Sequence, residues 1–377
     1  MTDGAQTFDL TDLGEIPDYM LRTKPTGASV PETLATIAND NEASAAITTT
    51  SAPEARAPGA TPAPGKTRDA SHSTKDRIAP ITLNDFLALD IPPRGYLLKP
   101  ILPEQGLAML VAQRGVGKTH VALGIAYAAA SGGSFLRYTA ERPRKVLVLD
   151  GEMPAALMQS RMAAIVAGSA VHPPAPDYFR LVTPDALPKG ATMPNLGDPE
   201  GQAVVEQMLD GVELLVIDNL SSLVRGLREN EADDWQGMLD FLLRLRRRGV
   251  TVLLVHHANK NGTQRGTSRR EDILDTVIAL KRPADYQPAH GARFEVHIEK
   301  GRALYGTDAA AFEASLKTVD GRAVWTHADV EEVTLERVIA LHQQGLSMRD
   351  IGDELDVGKS TVQRMLAKAK TEGLLSD

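Results

Sequence analysis

The sequence predicts an α/β fold: a mainly parallel central sheet built around a phosphate-binding loop, with a tail before it and a small all-α unit after it. Three observations carry that prediction. First, the apolar run Leu107-Ala108-Met109-Leu110 leads into Val111-Ala112-Gln113-Arg114-Gly115-Val116-Gly117-Lys118-Thr119 and then into a helical pattern from His120 to Ala130. That is the strand, glycine-rich loop and helix context a phosphate loop requires. Second, apolar strands recur at Arg144–Asp150, Glu213–Asp218 and Val250–His256, with helical patterns between them; such alternation marks a parallel sheet with crossover helices. Third, Gly345 to Lys370 reads helix, short turn, helix, a helix-turn-helix arrangement.

Composition sets the bounds. A chain of 377 residues with 42% hydrophobic content has room for two or three domains and a large α/β core. The longest apolar run, Val121–Ala130, is about half of the ~20 residues a membrane-crossing helix needs, so no membrane partner is expected. The start, Met1-Thr2-Asp3-Gly4, has neither a basic region nor an apolar core. With no cysteine in the chain, disulfides and thiolate metal sites are excluded and a cytoplasmic location is expected. A net charge of −8 excludes a protein that coats nucleic acid with general basicity, so any such contact must be local.

Along the chain, residues 1–80 are expected to be disordered. Segments such as Ala57-Pro-Gly-Ala-Thr-Pro-Ala-Pro-Gly hold too little apolar surface to offset the entropy of ordering. Order returns near Ile81–Phe86, where Thr82 or Asn84 can cap a short helix. The sheet domain spans 81–328, with a helix over Glu231–Arg247 and further strands at Ile273–Leu280 and Phe294–Ile298. Residues 333–377 form a separate helical unit.

In the loop, Gly115 and Gly117 let backbone N–H groups turn inward around a polyphosphate, and the next helix adds its positive N-terminus. Lys118 reaches the β- and γ-phosphates of ATP and the Thr119 hydroxyl holds Mg²⁺. Ala112, Gln113, Arg114, Gly115, Val116, Gly117, Lys118, Thr119 and His120 together make the candidate nucleotide contacts, Ala112 standing where a first glycine is usual. Glu152 follows the second strand, at the end of the sheet where open α/β folds bind ligands. It either activates a water against the γ-phosphate or serves as an acid before a helix N-terminus. Asp218 ends a buried strand as a carboxylate delivered to the metal, with Thr119 as its companion. His256 and His257 end the next strand, where a polar side chain can sense the γ-phosphate. The segment after them carries Lys260, Arg265, Arg269 and Arg270 with no acid. It is a candidate grip on single-stranded nucleic-acid phosphates, or an ordinary solvated loop.

Taken together, the loop, Asp150-Gly151-Glu152, the strand ending in Asp218, the His256-His257 strand end and Arg265-Gly266-Thr267-Ser268 resemble the RecA-like hexameric ATPases, most closely the plasmid RepA-type replicative helicases. The resemblance covers about residues 95 to 310. Near its end, Glu299-Lys300-Gly301-Arg302 through Gly306 is similar to the Lys-x-Arg-x-x-x-Gly segment of DnaB-like helicases. The resemblance implies that Arg302 is an arginine finger lent to a neighbouring subunit, with Lys300 beside it, and that the chain assembles as a homo-oligomeric ring. The tail and the helix-turn-helix are not part of the minimal RepA-type pattern.

The second helix of the helix-turn-helix carries Lys359, Arg364, Lys368 and Lys370, whereas the first and the turn carry Asp350, Asp353, Glu354 and Asp356. A basic recognition helix on an acidic support suits duplex DNA, with Ser360, Thr361 and Gln363 placed to reach base edges. A helical cap or subunit contact is the other reading. Gly358-Lys359-Ser360-Thr361 has no preceding strand and is not a second phosphate loop. Three functions remain open: an ATP-driven replicative DNA helicase, an ATP-switched DNA-binding regulator without unwinding, and a RecA-like recombination accessory.

Overall fold

The computed structural model describes residues 80–226, 235–258 and 272–375. The expected disorder of residues 1–80 therefore falls outside the described residues except for Pro80. The described residues 80–93 belong to a separate unit. Its described part holds one short helix, α1 (Leu83–Leu87), where the Thr82 hydroxyl accepts a hydrogen bond from the Asp85 amide at 3.2 Å.

From Arg94 onward the chain belongs to the other unit. Its strands are β1 (Tyr96–Leu98), β2 (Leu102–Pro103), β3 (Leu107–Ala112), β4 (Ser134–Phe135), β5 (Tyr138–Thr139), β6 (Val146–Asp150), β7 (Phe179–Val182), β8 (Leu214–Asp218), β9 (Thr251–His257), β10 (Thr276–Lys281), β11 (Ala292–Gly301), β12 (Phe312–Val319) and β13 (Arg322–Asp329). Its helices are α2 (Lys118–Ser131), α3 (Ala155–Gly168), α4 (Pro199–Gln207), α5 (Leu220–Leu223), α6 (Gln236–Arg247), α7 (Val330–Gln343), α8 (Met348–Leu355) and α9 (Lys359–Thr371).

A nine-stranded sheet organises the unit, in the order β13-β12-β11-β10-β3-β9-β8-β6-β7. From β10 to β7 every pairing is parallel. The last three strands add on antiparallel. The central strands are buried on both faces, which is why they read as unbroken apolar runs. Their side chains alternate between two cores. Leu110, Val148, Val216 and Val255 face α2 and α3, while Met109, Leu149, Ile217 and Leu254 face the other layer, which holds α4 and α6.

Strands β3, β6, β8 and β9 stand where the sequence places them. Two expected strands are shifted: Ile273–Leu280 is observed as β10 at Thr276–Lys281, and Phe294–Ile298 is the middle of the longer β11. The expected helix at Glu231–Arg247 is described only from Gln236, and its buried side includes Phe241 along with Trp235, Met238, Leu242 and Leu245. Unexpected are β7, a half-buried edge strand, and the hairpin β12–β13, closed by Asp320 and Gly321, both at positive φ. That is the two-residue turn whose backbone matches strand twist.

Helix α2 is buried all round, because the sheet covers one side and β1, the β4–β5 hairpin and α3 cover the other. Phe135 and Phe294 both pack edge-on against Trp325. A Cβ on Gly124 would sit inside the Phe135 ring, and one on Gly117, at φ 126°, would stand 3.0 Å from the Phe294 ring.

The chain passes from β13 into α7 without a linker, Asp329 ending one and Val330 starting the other. Helices α7, α8 and α9 enclose a small core of Leu335, Val338, Ile351, Val362, Met365, Leu366 and Ala369. Ser347 and Asp350 form a reciprocal cap on α8, and Asp356, in the left-handed region, ends it. Arg337 of α7 ties this unit to the sheet. It contacts Glu313 of β12 and Asp285 (3.3 Å), which Arg293 of β11 also bridges.

Candidate active site

Four strand ends meet where the phosphate loop leaves the sheet. The register pairs Ala112 with His257, Val111 with His256, Asp218 with Val255, and Asp150 with Asp218. Buried parallel strands thus deliver three kinds of polar group to one edge, the ligand-binding end of an open α/β sheet.

The loop is closed on its own lysine. Lys118 Nζ donates to the carbonyls of Ala112 and Gln113, both at 3.0 Å. Burial pushes its ammonium down to about 8, opposed by Asp218 and Glu152 and assisted by Arg114. Gly115 and Gly117 both take positive φ, the conformation that turns amides inward. Val116 is buried under the loop, while Gln113, Arg114 and Gly115 are exposed. His120, one residue past Thr119, is held neutral: burial, then Arg161, lower it to about 4.

The carboxylates stand next to the loop. Asp218 is buried, and burial raises it to about 6, with Asp150 and Glu152 adding to the rise and the Thr119 hydroxyl and Lys118 opposing it. The peptide that follows it, Asp218–Asn219, is cis. Asp150, not singled out from the sequence, is a second buried acid. It accepts from the Met153 amide and the Thr183 hydroxyl, each at 3.0 Å, and burial raises it too. The donor set fits Mg²⁺. A hydroxyl and a carboxylate already in contact, with a further acid behind, give hard oxygen ligands whose charge a cation would relieve.

Glu152 is exposed, just past the end of β6. Its charge acts on Lys118, Asp218 and His257, which places it at the mouth of the site. His256 is buried at 1% exposure. His257 is half-buried, and neither ring nitrogen has a hydrogen-bond partner among the described residues. Burial and then Lys118 lower it to about 4, so the ring is neutral at physiological pH.

Lys300 and Arg302 are not at this edge. Lys300 pairs with Val277, and Gly301 with Thr276, which in turn pairs with Ala108. They therefore lie at the opposite end of the sheet, roughly 13 Å down the strand from Ala112. Arg302 Nη2 donates to the Asp272 carbonyl at 2.6 Å, and Lys300 Nζ reaches the same oxygen at 3.4 Å.

Of the residues expected to touch nucleic acid, Lys260, Arg265, Arg269 and Arg270 lie outside the described residues. The last described residue before them, Ala258, donates its amide to Ala112 O at 2.9 Å, beside the start of the phosphate loop. On α9, Lys359, Ser360, Gln363 and Arg364 are exposed and Thr361 half-exposed, opposite the buried Val362, Met365 and Leu366. Lys368 faces Glu331 of α7 at 3.9 Å.

Two arginines beside the loop were not found from the sequence. Arg282, at the end of β10, reaches Gly115 O at 3.4 Å and stacks 4.2 Å from the Tyr286 ring. Arg161 of α3 lies where the charges of Asp218 and Asp150 act on it. Neither sits in a spaced motif, so only the fold brings them in.

No helix among the described residues is long and apolar enough to cross a membrane. No curated protein matches the chain. Among solved structures, a KaiC-like protein from the archaeon Pyrococcus horikoshii matches at 18% identity, covering 62% of this chain and 99% of that one with a TM-score of 0.44. A family model described as an AAA domain matches residues 73–263, a span that holds the phosphate loop, Asp150, Glu152, Asp218 and both histidines. The chain belongs to that AAA domain family, and its mainly parallel sheet and phosphate loop are those of a RecA-like P-loop ATPase.

Proposed function

We propose that this chain is a DNA-associated motor of the RepA-like replicative helicase type, acting in the cytoplasm as a homo-oligomeric ring. The observation that carries the reading is the separation of Arg302 from its own phosphate loop. A finger at the far end of the sheet contributes nothing in cis and fits a site on a neighbouring copy. Within one copy, Lys118 and the loop amides hold the β- and γ-phosphates, and Thr119 and Asp218 hold Mg²⁺, which neutralises phosphate charge when bound. The Glu152 carboxylate orients a water and takes its proton, and neutral His257 donates to a γ-phosphate oxygen or accepts from that water. The basic segment 258–270 follows His257 directly, which suits a single-strand contact that answers to the nucleotide state.

The test is a mixing experiment. Lys118→Ala and Arg302→Ala should each hydrolyse ATP at a small fraction of the parental rate. Mixed, they should recover partial turnover at interfaces where an intact loop meets an intact finger. Co-assembly by native mass with no recovery removes the ring-site assignment. Glu152→Gln should bind ATP but not turn it over; parental turnover shows that Glu152 is not the base.

A second reading is favoured by the exposed polar and basic side of α9 and its firm attachment through Arg337. In it the protein is a DNA-binding regulator that ATP switches without unwinding. Strand separation on a forked duplex, present or absent under conditions of active turnover, decides between them.

A further inference from the structure

At the end of the sheet away from the phosphate loop, the short stretch from Asp272 to Asp275 holds Arg302 at two points. The Asp275 carbonyl accepts from the Arg302 amide at 3.0 Å, and the Asp272 carbonyl accepts from its guanidinium at 2.6 Å. Backbone and side chain of Arg302 thus share one mount, and the position of that mount sets where the side chain aims. Between the two points Leu274 is fully buried. Asp275 fixes the rest. Its side chain is buried at 4% exposure, and its carboxylate accepts from the Leu107 amide at 3.0 Å and from both terminal nitrogens of Arg94 at 2.9 and 3.2 Å. Arg94 is anchored in turn: Nε donates to the Glu104 carbonyl at 2.6 Å and Nη2 to that of Gln105 at 2.8 Å. One planar guanidinium therefore ties the mount to the turn that leads into β3. Without it a buried carboxylate would keep a single amide donor, which forces the stretch to shift or to admit water.

We propose that Arg94 is a positioning residue for the arginine finger: it touches no nucleotide and acts through Asp275 to keep Arg302 aimed at the neighbouring copy. This rests on the ring-site reading above and adds to it a residue from the start of the sheet unit, far from Arg302 in the sequence. Its effect is one-sided. Arg94 stands at the opposite end of the sheet from its own loop, so its loss leaves that loop sound and spoils only the finger lent to another copy. A misplacement of about 1 Å at a reacting centre can cost on the order of a hundredfold in rate.

Mixing experiments read that asymmetry. Arg94→Gln alone should bind ADP with Mg²⁺ like the parent, by calorimetry, while its kcat for ATP falls on the order of ten- to a hundredfold. Mixed with Lys118→Ala, which brings a sound finger, it should recover turnover, because its own loop is sound. Mixed with Arg302→Ala, which brings a sound loop, it should recover little, because the finger it lends is misaimed. A general disturbance of fold or assembly would depress both mixtures alike. That outcome overturns the proposal, as does a parental kcat for Arg94→Gln or full recovery with Arg302→Ala. Arg94→Lys keeps the charge but cannot reach Asp275, Glu104 and Gln105 together, so it should show the same asymmetry to a smaller degree. Should Arg94→Gln fail to fold, Arg94→Lys decides: parental finger donation to Arg302→Ala overturns the assignment. If Lys118→Ala and Arg302→Ala do not restore each other, the ring-site reading falls and this proposal with it. That result is distinct from one in which the pair recovers and Arg94→Gln donates as the parent does.

Discussion

At the scale of single residues, the site is a balance of buried charges that nucleotide and cation would reset. Burial lowers the Lys118 ammonium to about 8, and phosphate beside it favours the charged form, so its pKa rises on binding. Below about pH 8 the lysine is already charged and affinity is flat. Above it, ATP binding takes up a proton, and Kd should rise about tenfold per pH unit until the bound-state pKa is reached. Calorimetry in two buffers of different ionisation enthalpy reads that uptake directly, and Lys118→Ala should abolish it. Asp218 behaves in the opposite sense. Its folded pKa of about 6 lies above the unfolded 3.8, so its relative contribution to stability is full below 3.8 and lost as pH rises through 6. At pH 7.5 the protein carries the cost of a buried carboxylate. Asp218→Asn should therefore raise the stability of the nucleotide-free chain by on the order of 1–3 kcal/mol while abolishing hydrolysis. A fall in denaturation midpoint at pH 7.5 contradicts this account. The loop, Glu152, Asp218 and the two histidines were legible as residues because each ends a strand or follows a glycine pattern. Asp150 and Arg161 were not, since one is hidden behind a more exposed acid and the other is an unremarkable polar residue in mid-helix.

Secondary-structure elements show what periodicity can and cannot reveal. The doubly buried strands β3, β6, β8 and β9 are unbroken apolar runs and were read correctly. Edge strand β7 and the β12–β13 hairpin have only one covered face, so their apolar residues are diluted by Arg180, Lys317 and Thr318. The Asp320-Gly321 pair was the available signal for that hairpin. Helix α2 presents the reverse case: its lack of a polar face came from β1, the β4–β5 hairpin and α3 covering it, partners the sequence did not announce. That packing is tight enough to override helix propensity. Alanine is a better helix former than glycine, yet Gly124→Ala should destabilise the chain by about 1–3 kcal/mol because its methyl enters the Phe135 ring. Chemical denaturation measures it, and the loss should shrink when Phe135 is also reduced to alanine. An increase in stability would show that the aromatic layer has slack.

For the molecule as a whole, the two parts proposed to contact DNA have different relations to the site. Segment 258–270 follows His257 in the chain, and its first residue, Ala258, is bonded to Ala112 beside the phosphate loop, while α9 stands beyond the sheet extension. Ending the chain at Asp329 should spare single-strand-stimulated ATPase and reduce duplex affinity on the order of tenfold at moderate salt. Loss of the stimulation, with duplex affinity intact, would falsify this division of labour. The sequence places the helix-turn-helix after the sheet domain; it does not reveal how the two are joined, because Asp285, Arg293, Glu313 and Arg337 are far apart in the chain and meet only once the hairpin is folded.

That joint has a mechanical consequence. With no residue between Asp329 and Val330 to act as a swivel, and with Arg337 pinned by two acids, the three helices are geared to the ATPase body. If α9 grips duplex while the same body advances along one strand, rotation cannot dissipate at the joint and must appear as twist in the DNA between them. Turnover on a covalently closed circle should then slow as torsion accumulates, and a single nick should release it.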